Sequence, residues 1–72
     1  MKAVDATGHR CPVPTLRLRK ALQEMAAGER LILRADDPMA RIDVPHFVSQ
    51  IGAKLIEQKE DGKTLIFVVE KG

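Results

Sequence analysis

Two spacings of apolar residues alternate along the chain, one helical and one extended. Lys2 to Ala6 is short and reads as a first or edge strand, followed by a loop at Thr7-Gly8-His9. From Pro14 to Ala27 the pattern turns helical. Leu18, Leu22 and Met25 fall at i, i+4 and i+7 with Ala21 beside them, while Arg17, Lys20, Gln23 and Glu24 lie mostly on other faces. Pro14 suits a first helical turn, where no intrahelical N–H is needed, and Gly28 is a natural stop just past the last periodic residue. Glu29 to Ala35 reads as a strand with a buried centre. Asp36-Asp37-Pro38 then punctuates the chain, with an aspartate before proline as turn and N-cap signal. A first helical turn over 38–42 leads into Val44, Phe47, Val48 and Ile51 at i, i+3, i+4 and i+7. This second helix is closed by Gly52, and an irregularity is expected at Pro45. Ala53 to Glu60 and Thr64 to Lys71 are strand-like and flank Asp61-Gly62, a two-residue hairpin signal. Leu65 to Val69, rich in β-branched residues, reads as a central strand.

The order is βαβαββ. It predicts an α+β fold: a two-layer α/β sandwich with two helices on one face of a four-stranded mixed sheet. The first two strands should be parallel with a right-handed crossover. At 72 residues the chain is expected to form a single domain, 1–72, with little surface to bury. Hydrophobic residues make up 44%, with no Trp or Tyr and only two Phe, so the core should be aliphatic. A net charge of +2 tolerates an acidic or RNA partner without demanding one. The aromatic stacking residues of an autonomous nucleic-acid binder are missing, so support for direct RNA contact is weak. No signal-like or membrane-spanning apolar run occurs, and a single cysteine fits a reducing compartment. A cytoplasmic protein with no membrane contact is the expectation.

That cysteine, Cys11, stands in Gly8-His9-Arg10-Cys11-Pro12-Val13-Pro14, between the first strand and the first helix. In open α/β sheets, sites collect beyond the carboxyl ends of parallel strands. Two loops belong there: 8–14, and the one carrying Asp36 and Asp37. A thiol near a helix N-terminus, with Arg10 adjacent and Arg17 in the first turns, is biased toward thiolate. Pro12 and Pro14 fix φ and stiffen the loop, and Gly8 permits positive φ. The alternative is a small inert core cysteine, and the loop–helix setting favours the working thiol. Asp36 and Asp37 could orient a partner, or serve only as N-cap and turn. Arg17 and Lys20, with Arg19, form a basic set that is either a solvated face or a docking face. No Cys-x-x-Cys and no metal-ligand spacing is present, so neither dithiol chemistry nor a metal or other cofactor is expected. A sulfur working alone in so small a chain suits a carrier that passes a group between proteins. A non-catalytic regulatory or RNA/protein-binding module, or a redox sensor, remains the competing class.

The run Asp5 to Pro14 resembles the Cys-Pro-x-Pro signature of the TusA/SirA family of bacterial sulfur-carrier proteins. The resemblance continues through Ala21-Leu22, Gly28-Glu29, Asp36-Asp37-Pro38, Asp43 to Phe47, and Gly52. It implies the βαβαββ sandwich reached above and a sulfurtransferase acting as a persulfide relay. Cys11 would take sulfane sulfur from a cysteine desulfurase or rhodanese-type donor and pass it to an acceptor sulfur-relay protein. The implied pathways are tRNA thiolation, molybdenum-cofactor maturation and sulfur metabolism. Pro12 and Pro14 would shape the loop. A persulfide is more acidic than a thiol, so the helix N-terminus and Arg10 would stabilise its anion.

Overall fold

Alternate residues of the most apolar strand point in opposite directions, and only one set is fully covered. In Thr64–Glu70, Leu65, Phe67 and Val69 are buried while Thr64, Ile66, Val68 and Glu70 are half-buried. The period-2 pattern of a sheet with one face packed on helices is what this records. The computed structural model describes residues 2–10 and 13–72. Its elements are β1 (Lys2–Asp5), α1 (Val13–Gln23), β2 (Arg30–Ala35), α2 (Ala40–Gln50), β3 (Lys54–Asp61) and β4 (Thr64–Glu70). The strand order is β1-β2-β4-β3. β1 pairs parallel with β2, and the other two pairings are antiparallel. This is the mixed sheet with two helices that the sequence predicts, with β2 and β4 central.

Leu18, Ala21 and Leu22 of α1 and Ala40, Val44 and Val48 of α2 meet Leu31, Leu33, Ala35, Leu65, Phe67 and Val69 of the sheet in one cluster. The expected aliphatic core holds with one amendment. Phe67 is the largest fully buried side chain, and the isoleucines of β2 and β4, Ile32 and Ile66, sit half-covered on the sheet's other face.

Several boundaries differ from the expectation by a residue or more, and three of the differences have a local reason. α1 ends at Gln23 rather than Ala27. The Glu24 and Met25 N–H groups donate to the Ala21 and Leu22 carbonyls at 3.2 and 3.1 Å, a tightened last turn that leaves Met25 buried. The Lys71 ammonium donates to the Met25 carbonyl at 2.6 Å, and Gly28 reverses the chain with φ +88°. α2 begins at Ala40, not Pro38, and runs unbroken through Pro45. Its N-cap is Met39, which makes no side-chain cap bond. The hairpin turns one residue later than expected. Asp61 still pairs with Thr64, so Gly62-Lys63 are the turn residues, with Gly62 at φ +63°. Among the described residues, no helix is long and apolar enough to cross a membrane.

Candidate functional site

Because β1 and β2 are parallel neighbours, their carboxyl ends lie side by side, and the loops that follow them meet. The ladder ends with the Ala6 N–H donating to the Arg34 carbonyl at 2.8 Å. Two positions further along each strand, Gly8 and Asp36 face one another. The Gly8 N–H donates to both carboxylate oxygens of Asp36, at 2.9 and 3.0 Å. Gly8 adopts φ +82°, and a Cβ there would meet nothing within 4 Å, so the backbone conformation alone calls for glycine. His9, Arg10, Asp37 and Pro38 line an open groove together with Gly8 and Asp36.

A second set of contacts holds the same loop from the strand side. Asp5, at the end of β1, accepts from the Thr7 hydroxyl at 2.6 Å and from the Thr7 N–H at 3.0 Å. Those two donors hold the Asp5 carboxyl below its ordinary value, and the cations of Arg34 and Arg17 add to the effect against a small desolvation cost. Arg17 reaches back from α1. One guanidinium nitrogen donates to the Asp5 carbonyl at 3.2 Å, and another contacts His9 Nε2 at 3.3 Å. Guanidinium only donates, so this contact is a hydrogen bond in the tautomer that leaves Nε2 free to accept. The His9 N–H in turn donates to the Ala6 carbonyl at 3.3 Å.

The structure therefore brings together Gly8, Arg10, Asp36 and Asp37 among the residues singled out from sequence, and separates others. Asp37 accepts from the Met39 N–H at 3.1 Å, so it shapes the entry to α2 without being its N-cap. Pro14 is buried in the first turn of α1. The basic set on α1 divides. Arg17 and Lys20 share a groove with Lys2 and Glu24, whereas Arg19 lines a separate groove with Ile51 and Lys71. Arg10 is exposed, and its carbonyl accepts the Val13 N–H at 2.9 Å. Cys11 and Pro12 lie outside the described residues. Asp5, Thr7 and the His9–Arg17 contact were not singled out from sequence. An aspartate followed two residues later by a Thr in a Gly-containing loop is a recognised local turn signal and could have marked the first pair. Among the described residues, no three His, Asp or Glu side chains gather as a metal-binding set.

A two-layer α/β protein whose strand-end loops meet at one sheet edge, with one cysteine in the chain segment between β1 and α1, is the class defined so far. The model of the family described as "Sulfurtransferase TusA" matches residues 2–71. An Archaeoglobus fulgidus chain provisionally named a sulfur carrier protein is 46% identical, over 97% of this chain and 92% of its own length. The sulfur carrier protein TusA of Pseudomonas putida strain F1 is 38% identical, over 94% of this chain and 85% of its own. A crystal structure of a SirA-like protein from Desulfitobacterium hafniense superimposes with a TM-score of 0.87 at 27% identity, covering 100% of this chain and 99% of that one. The chain belongs to the TusA family of sulfur carriers.

Proposed function

We propose that the chain is a persulfide relay in which Cys11 carries the sulfur. The observation that carries this reading is that a chain matched from end to end by a sulfur-carrier family holds one cysteine. In the first step the Cys11 thiolate attacks the outer sulfur of a donor cysteine persulfide, on a cysteine desulfurase or a rhodanese-type protein. The donor S–S bond breaks, the donor cysteine leaves as thiolate, and Cys11 becomes Cys–S–SH. In the second step an acceptor thiolate attacks that outer sulfur and Cys11 leaves as thiolate. Sulfane sulfur changes hands with no net oxidation. The acceptor would be a relay protein serving tRNA thiolation, molybdenum-cofactor maturation or sulfur metabolism, in a reducing, cytoplasmic setting.

The surroundings support such a sulfur. The first turn of α1 holds no acidic side chain, so nothing within it offsets the positive end of the helix dipole. Exposed Arg10 adds a cation next to Cys11 in the sequence. The groove along Gly8, His9, Arg10 and Asp36 is open rather than enclosed, as exchange between two proteins requires.

The test is intact mass after incubation with a cysteine desulfurase and cysteine. The protein should gain one sulfur atom, lose it with reductant, and gain none as Cys11→Ser. Sulfur that loads equally on the serine variant, or no gain from desulfurase and rhodanese-type donors alike, overturns the reading.

A further inference from the structure

We propose that Asp36 is a positioning residue for the sulfur-bearing loop, acting through its hydrogen bond to the Gly8 N–H and not through its charge. The inference rests on the relay reading and names a residue that makes it work. Gly8 stands three positions before Cys11 in the chain. Its amide is held by both carboxylate oxygens of a side chain that is 28 residues away in sequence and belongs to the other strand-end loop. The left-handed backbone at Gly8, required by no neighbouring atom, is the conformation in which that N–H meets Asp36.

Other roles for Asp36 are already taken. Met39 is the N-cap of α2, and Asp37 receives the Met39 N–H. Among the described residues, Asp36 forms no ion pair, and its hydrogen-bond partner is the Gly8 amide. Its negative charge in the groove opposes a persulfide anion, so charge is not what it contributes to sulfur transfer. What it contributes is restraint. With Arg17 holding Asp5 and His9 from α1, the loop is fixed on two sides before it reaches Arg10. A loop held this way presents its sulfur from fewer orientations, which raises the rate of an in-line exchange between two proteins.

Asparagine and alanine at position 36 separate the two contributions, because both remove the charge and only asparagine keeps an oxygen that can accept from Gly8. Sulfur loading from a desulfurase and iodoacetamide alkylation of Cys11 are measured as rates across pH, with Gly8 amide exchange followed in parallel. Asp36→Asn should stay near the parent rate. Asp36→Ala should load about fivefold to tenfold more slowly, the scale of one hydrogen bond, with faster exchange at Gly8. Equal slowing in both variants would assign the effect to charge and overturn the proposal, as would parent rates in both. If Asp36→Ala does not fold, Asp36→Ser, whose hydroxyl is too short to reach, takes its place with the same expectations. If the parent protein itself fails to load sulfur, the relay reading fails. Alkylation and Gly8 exchange still report on the clasp in that case.

Discussion

Asp5 is made more acidic without being buried. Two donors from Thr7, hydroxyl and amide, favour its ionised form, and Arg34 and Arg17 add a weaker pull. The sign of the consequence follows from linkage. A carboxyl with a depressed folded pKa stabilises the fold above the ordinary Asp value of about 3.9. That contribution is lost as pH falls through the lower, folded value. Thr7→Val removes the hydroxyl donor and leaves the amide. A carbon-13 titration of the Asp5 carboxyl should then show its midpoint moving up toward the ordinary value, and the stability profile below about pH 4 should flatten. An unmoved midpoint would mean the hydroxyl is not the leading cause. At this scale the sequence was readable only in part. Gly8, Arg10, Asp36 and Asp37 were named from position alone. Their contacts were not, because the bond between Gly8 and Asp36 spans 28 residues and depends on the parallel pairing of two strands.

Elements were read well where burial enforces a period, and less well where a distant group decides an end. Leu18, Leu22, Val44 and Val48 are buried as their spacing requires. The early end of α1 could not be read locally, because Met25 turns inward and its carbonyl is met by Lys71 from the far end of the chain. The hairpin shifted by one residue because Asp61 keeps a ladder partner in Thr64. Positive φ at Gly62, the first turn position, then suffices for a turn of the II′ kind. Pro45 is the instructive case in α2. It sits inside the helix, with no N–H to give the Arg41 carbonyl one turn back. Pro45→Ala restores that donor. It should raise the unfolding free energy by about 1–2 kcal/mol, less than the full interior-proline penalty because alanine also frees the unfolded chain. The denaturant midpoint measures it, and a lower midpoint would mean that Pro45 packing outweighs the missing bond.

For the molecule as a whole, the two ends of the sandwich are closed differently. At the carboxyl end of the parallel pair, loops meet through Asp36 and Gly8 and leave an open groove. At the other end, Lys71 ties β4 to the turn between α1 and β2. Its ammonium donates to Met25, its N–H donates to Glu29 at 2.8 Å, and its carbonyl accepts from Gly28 at 2.9 Å. Lys71→Met keeps the stem and both backbone bonds and loses the charged donor to a partly buried carbonyl. It should cost about 1–3 kcal/mol of stability while leaving sulfur loading on the folded protein unchanged, since the groove of Gly8 and Asp36 proposed to serve the sulfur lies at the opposite end. Thermal unfolding beside the intact-mass assay reads both quantities, and a loss of loading at full foldedness would contradict this separation.

Arg17 also bears on how the molecule avoids its own kind. β1 is an outermost strand. The Ala6 amide points into the sheet toward Arg34, so by alternation the Asp5 carbonyl points out of it. An incoming strand would use that outward carbonyl as an acceptor, and the Arg17 guanidinium already occupies it. Lys2, paired with Glu24 at 3.1 Å, places a further ion pair along the same border. With that acceptor occupied and an ion pair beside it, the border of β1 is guarded against extension by a second copy, strand upon strand.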